Sequence, residues 1–162
     1  MPRVTACAVP EGSLLAEFGG PHDYRDCFAR DVPGTVTLEA YIERFYCSMA
    51  FRPERLLLSL LGRGASNADA KALARGEADA IAVWKVVARR QREILLESKG
   101  TGTASWLAVE SLGDASSSSA AIGQTTTTRL LFGSWVGGLN QSAWRFMALP
   151  HVLYSRALLG WV

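Results

Sequence analysis

The chain is short of residues that could do chemistry in concert. Its two histidines, His22 and His151, lie far apart and neither belongs to an H-E-x-x-H pair. Asp26 follows His22 by four residues, but one imidazole and one carboxylate are too few ligands to hold a metal ion. Cys7, Cys27 and Cys47 are spaced by twenty residues with no C-x-x-C pair. An odd count at such spacing argues against a disulfide framework and against a zinc site, so reduced thiols in a cytoplasmic compartment are the expectation. The run Gly133-Ser134-Trp135-Val136-Gly137 lacks the order G-x-S-x-G and falls inside a strand pattern instead of at a strand-to-helix elbow. Gly62-Arg63-Gly64 and Gly100-Thr101-Gly102 read as turns, because neither has the third glycine or following lysine of a phosphate-binding loop. No metal and no cofactor is expected. Whether the chain is an enzyme stays open, leaning against.

Two basic residues stand among apolar neighbours: Lys85 between Trp84 and Val86, and Arg129 just before Leu130. Either can face solvent by strand alternation; pointing inward, it would need a carboxylate or an anionic ligand group. Trp84, Trp106, Phe132, Trp135, Phe146, Tyr154 and Trp161 concentrate in the second half of the chain. Such a set packs a core or lines an apolar ligand site.

These residues must be positioned by a small number of elements. Thr37 is placed as an N-cap, and Leu38, Tyr41, Ile42, Phe45 and Met49 follow at helical spacing. Pro53 opens a second helix that carries Leu56, Leu57, Leu60 and Leu61, and an Ala-rich third helix begins near Ser66 or Asn67 and ends at Gly76. Four strand patterns follow, Ala80 to Arg89, Arg92 to Ser98, Thr103 to Leu112 and Thr125 to Leu139, with Lys99 to Gly102 as a tight turn and Ser116 to Ser119 in a loop. An apolar helix from Trp144 to Trp161 closes the chain, with Pro150 kinking it or marking its start. His22 to Phe28 adds one or two strands, and residues 1–18 are left unassigned. Short connections between consecutive strands favour an antiparallel meander, giving an α+β fold in a single domain over residues 1–162.

Bulk composition bounds the partners. The 162 residues carry 49% hydrophobic and 20% charged side chains, enough for one packed core, and a net charge of +2 with only local basic clusters excludes a nucleic-acid stripe. Arg145, His151 and Arg156 inside the last apolar stretch argue against a membrane span. Oligomeric state is not legible.

Several runs carry a resemblance: Ala82-Val83-Trp84-Lys85-Val86, Glu93-Ile94-Leu95-Leu96, Ser105-Trp106-Leu107, Thr128-Arg129-Leu130-Leu131-Phe132-Gly133 and Tyr154-Ser155-Arg156-Ala157-Leu158-Leu159. In this order, after short helices, they resemble the START-like (SRPBCC) superfamily, and within it a bacterial family with no assigned function. The resemblance spans roughly residues 22 to 160. It implies a helix-grip architecture, an antiparallel sheet wrapped around a long C-terminal helix, with a hydrophobic cavity between them. Members of the superfamily bind lipids, sterols, polyketides or plant hormones, and some cyclise or dehydrate polyketides.

The leading expectation is therefore binding of a small apolar or amphipathic molecule. The alternatives are a cyclase or dehydratase acting on a polyketide-like substrate through groups such as Lys85, Arg129, His151 or Tyr154, and an interaction module with a filled cavity. The expected lining is Trp84, Trp106, Phe132, His151 and Tyr154, with Arg129 as a polar anchor. Trp84 and Val86 share a face with Ile94 and Leu96 if the turn near Arg90 holds an odd number of residues, and that face, free of Glu93 and Glu97, is the concave one.

Overall fold

The structure, a computed structural model, describes residues 3–48, 66–113, 126–138, 152–160 and 162. Its strands are β1 (Thr5–Ala6), β2 (Tyr24–Pro33), β3 (Ala80–Ile81), β4 (Trp84–Arg90), β5 (Glu93–Ser98), β6 (Thr103–Ser111) and β7 (Thr127–Val136). Its helices are α1 (Leu14–Glu17), α2 (Leu38–Cys47), α3 (Asn67–Arg75) and a C-terminal helix over residues 152–160. The seven strands form one open antiparallel sheet in the order β1-β2-β7-β6-β5-β4-β3. The chain is thus α+β. Strands β3 to β7 run as a meander, and β2 returns across the helical block to pair with β7 from Tyr24↔Val136 to Pro33↔Thr127.

Local chemistry explains the helix ends. Thr37 Oγ1 accepts from the Ala40 N–H at 3.2 Å and starts α2, whose Leu38, Tyr41, Ile42, Phe45 and Tyr46 are buried. Ser66 and Asp69 form a reciprocal capping box at the start of α3, and Gly76 ends it with φ of +73°. Two sheet arginines finish two helices. Arg89 of β4 donates to the carbonyls of Leu73 and Ala74, and Arg30 of β2 donates to those of Leu159 and Gly160 at 3.0 and 3.2 Å. A cation at a helix C-terminus meets the negative end of its dipole and satisfies carbonyls that have no partner within the helix.

The pattern from Ala80 to Arg89, expected as one strand, is two. Ala82 takes a left-handed φ of 52° and the chain reverses, pairing Ile81 with Trp84 and Ala80 with Lys85. The β4–β5 connection also departs from expectation. Arg90 pairs with Glu93 across the two residues Gln91 and Arg92, an even turn. Trp84 and Val86 still reach the face of Ile94 and Leu96, because the register shifts between Val86 and Ala88 and leaves Val87 as the extra residue of a bulge. A single inserted residue inverts the facing of everything beyond it.

Each face of the sheet carries its own core. On the inner face Phe28, Ile94, Leu96, Leu107, Leu130 and Phe132 pack with α2, α3 and Leu158 and Leu159 of the C-terminal helix. On the outer face Cys27, Leu95, Trp106 and Leu131 pack with Leu14, Leu15, Val9 and Phe18 of the N-terminal segment. Glu93, on the face opposite the one expected to be concave, lies under this segment: its side chain is 13% exposed, and Oε2 accepts from the Leu14 N–H at 2.9 Å and from Trp106 Nε1 at 2.7 Å. The expected second helix around Leu56 to Leu61, the loop at Ser116 to Ser119 and the start of the last helix from Trp144 to Pro150 lie outside the described residues.

A cavity between the sheet and the C-terminal helix

Five elements converge on a cavity of about 170 Å³. Phe45 and Tyr46 come from the end of α2, Trp84 from β4, Thr103 and Ser105 from β6, Phe132 and Ser134 from β7, and Tyr154, Ser155 and Leu158 from the C-terminal helix. Strand periodicity places the sheet contributors. Ser105 and Ser134 are register partners, and Ser134 stands two residues beyond Phe132, on the same face. Phe45 stacks on Phe132 with ring centroids 5.2 Å apart, so the wall is fixed by contacts of its own. Tyr154, 39% exposed, stands where the cavity meets solvent.

The polar atoms here set the chemistry. Ser134 and Ser155 are 3% and 1% exposed, and Ser134 Oγ, Ser155 Oγ and Trp84 Nε1 are buried without a hydrogen-bond partner among the described residues. Buried hydroxyls and indole N–H groups are ordinarily paired, because an unpaired one forfeits about 1–3 kcal/mol. No charged side chain is among the described residues that line the cavity. Asp26 is near in sequence register, facing Ser134 across the β2–β7 pair, yet its Oδ1 accepts from the Ser134 backbone N–H at 3.0 Å and its Oδ2 from the Tyr24 hydroxyl at 3.0 Å. Burial, with the Asp26 charge adding to it, pushes the Tyr24 phenol up and keeps it protonated. Among the described residues no base accepts a hydrogen bond from Ser134 Oγ.

Of the residues expected to line the cavity, Trp84, Phe132 and Tyr154 meet there. Trp106 does not. It belongs to the outer-face cluster, 1% exposed, with its indole N–H on Glu93. Arg129 is also on the outer face, where its guanidinium makes two hydrogen bonds to Asp31 at 2.8 and 3.1 Å. Both corrections have one cause: strand alternation puts Leu130, Phe132 and Ser134 inward, and so turns Arg129 and Leu131 away, and Leu107 excludes Trp106 in the same manner. Lys85 is exposed, opposite Glu97. His151 lies outside the described residues.

Ser105, Ser134, Ser155, Phe45 and Tyr46 were not anticipated. The signal for Ser134 was present in its two-residue spacing from Phe132, whereas Ser155 and Tyr46 are legible only once helix rotation is known.

Among the described residues no group of three His, Cys, Asp or Glu side chains could hold a metal ion, and no helix is long and apolar enough to cross a membrane. No protein-family model, no curated protein and no solved structure matches the chain.

Proposed function

We propose that the chain is a START-like domain of helix-grip architecture that holds a small, neutral, mainly apolar molecule between its sheet and its C-terminal helix. The strand order supports the architecture: the first long strand pairs with the last, the helical block intervenes, and the final helix packs on the inner face. The observation that carries the binding reading is the pairing of an aromatic wall with three buried polar atoms that have no partner among the described residues, Ser134 Oγ, Ser155 Oγ and Trp84 Nε1, all on residues lining one cavity.

Size and charge narrow the ligand. A cavity of about 150 Å³ takes a benzene ring, and the 170 Å³ here is of that order. It is smaller than the roughly 300–1,000 Å³ of sites for drug-sized ligands, which disfavours a polyketide-like substrate. A charged group would find no counter-charge among the described lining residues, at a cost of several kcal/mol. One ring bearing a hydroxyl or carbonyl fits both constraints, its oxygen meeting the two hydroxyls or the indole N–H.

Phenol and toluene are the probes, with the double variant Ser134→Ala/Ser155→Ala as the control. Phenol binding, read by tryptophan fluorescence, is expected to weaken about 3–10-fold in the double variant, the worth of one ordinary hydrogen bond. Toluene binding is expected to hold or improve. Equal effects on both probes, or no saturable binding of either, would overturn the reading.

A further inference from the structure

Cys7 and Cys27 are twenty residues apart in the chain and face each other across the first two strands. The β1–β2 register pairs Thr5 with Ala29 and Ala6 with Phe28, which brings Cys7 opposite Cys27. The Cys7 N–H donates to the Cys27 carbonyl at 2.9 Å, so the two occupy a hydrogen-bonded position of the ladder. The Cys7 thiol points at its partner and donates to Cys27 Sγ at 3.1 Å. Opposed residues at such positions have Cα atoms about 5.5 Å apart, inside the span of roughly 4.4–6.8 Å that a disulfide bridges. One thiol is exposed and the other buried in the outer-face core beside Leu15 and Leu131.

We propose that Cys7 and Cys27 form a reversible disulfide site, oxidised by a small-molecule disulfide such as oxidised glutathione, that clamps the N-terminal segment onto the outer face of the sheet. The exposed thiol opens the reaction. Cys7 loses its proton and attacks one sulfur of glutathione disulfide, releasing one glutathione thiolate that takes up a proton. Cys27 then loses its proton to solvent and attacks Cys7 Sγ, expelling the second glutathione thiolate, which is protonated in turn. Two electrons pass from the cysteine pair to the small disulfide, and the balance is one protein disulfide and two glutathione thiols. Burial holds the Cys27 thiol well above its ordinary range, and the contact with Cys7 adds to this, so the buried sulfur acts second. The bond would close residues 7–27 into a loop that contains α1 and the strap residues Leu14, Leu15 and Phe18.

The test uses the full chain, reduced and then equilibrated in glutathione buffers of increasing oxidation, alkylated and mapped by peptide mass. Of the three thiols, two are expected to disappear together, with the Cys7 and Cys27 peptides joined, and excess reduced glutathione should restore them. In Cys7→Ser, Cys27 should remain a thiol throughout. Backbone amides of residues 9–18 should exchange more slowly in the oxidised form. A stable glutathione adduct on Cys7 beside an intact Cys27 thiol, or pairing through Cys47, overturns the site. Equal exchange of residues 9–18 in both forms overturns the clamp.

Discussion

Trp106 donates its indole N–H to Glu93 Oε2 at 2.7 Å, across the antiparallel β5–β6 pair and on the face of the sheet turned away from α2 and α3. The same carboxylate receives the Leu14 N–H at the start of α1 and the Arg90 guanidinium. One side chain therefore ties together a core tryptophan, the N-terminal segment and the end of β4. Glu93→Ala leaves a buried indole N–H without its acceptor and should destabilise the fold by about 2–3 kcal/mol. Glu93→Gln retains an acceptor oxygen and should lose less. Urea unfolding of the two variants decides the matter; an unchanged midpoint for Glu93→Ala would contradict this role.

Gly133 is required by close approach. A Cβ there would stand 2.4 Å from Leu15 Cδ2, 2.9 Å from the Asp26 carbonyl oxygen and 3.1 Å from Trp106 Cε3. Gly133→Ala should therefore cost about 1–3 kcal/mol by overpacking the outer face. Shortening Leu15 to Ala removes one of the three clashes, so the double variant should be less destabilised than the sum of the singles. Additive losses would show that Leu15 does not press on this position.

The bulge at Val87 makes a prediction of a different kind. Val87 is 46% exposed, and replacing it by Thr should change stability by no more than about 0.5 kcal/mol. Deleting it closes the ladder into a regular one, with Val86 still opposite Leu96 and Lys85 still opposite Glu97, so Trp84 and Val86 keep the inner face. The deletion should therefore keep cooperative unfolding followed by circular dichroism, as should the threonine variant. A deletion that loses cooperative unfolding would refute the assigned register.

Stability should fall on the alkaline side. Burial raises the Cys27 thiol and the Tyr41 phenol above their ordinary values. The unfolded chain sheds the cysteine proton above about pH 8.5 and the tyrosine proton above about pH 10, while the folded chain keeps both. The folded state then binds more protons, so stability is full below about pH 8.5 and declines above it, by about 1.4 kcal/mol per pH unit for each group held protonated. Urea midpoints under reductant at about pH 7.5, 9 and 10 measure this, and Cys27→Ser should delay the onset to the tyrosine range. A parent protein equally stable at all three values would contradict it.

What the sequence revealed follows from which interactions are local. Thr37, Ser66 and Gly76 announce helix ends because a cap is settled within four residues, and the strands β5 and β6 were legible from their own alternation and turns. The inner face was read correctly as Trp84, Val86, Ile94 and Leu96, yet by way of an odd turn that does not exist; the bulge at Val87 supplied the missing residue. Facing in β6 and β7 was ambiguous because both faces are buried, so Trp106 and Leu107, or Leu131 and Phe132, look equally interior. The cover that buries the outer face comes from residues 9–18, which show no clear period. Arg129 looked interior for the same reason, and only its pairing with Asp31, far away in sequence, places it. Of the cavity serines, Ser134 was marked by its spacing from Phe132, while Ser155 had no local mark, since an unpaired hydroxyl is a fact of three dimensions.

The proposal rests most directly on where a bound ring sits. Intermolecular nuclear Overhauser effects from phenol protons to the protein would locate it. Contacts are expected to the Trp84 indole, the Phe132 ring and Leu158, the three sides of the inner-face cavity. A second depression, lined by Val9, Gly19, Pro21 and Arg25, lies against the N-terminal segment. Effects confined to Val9, Pro21 and Arg25, with none to Trp84 or Phe132 at saturating phenol, would contradict a ligand site between the sheet and the C-terminal helix.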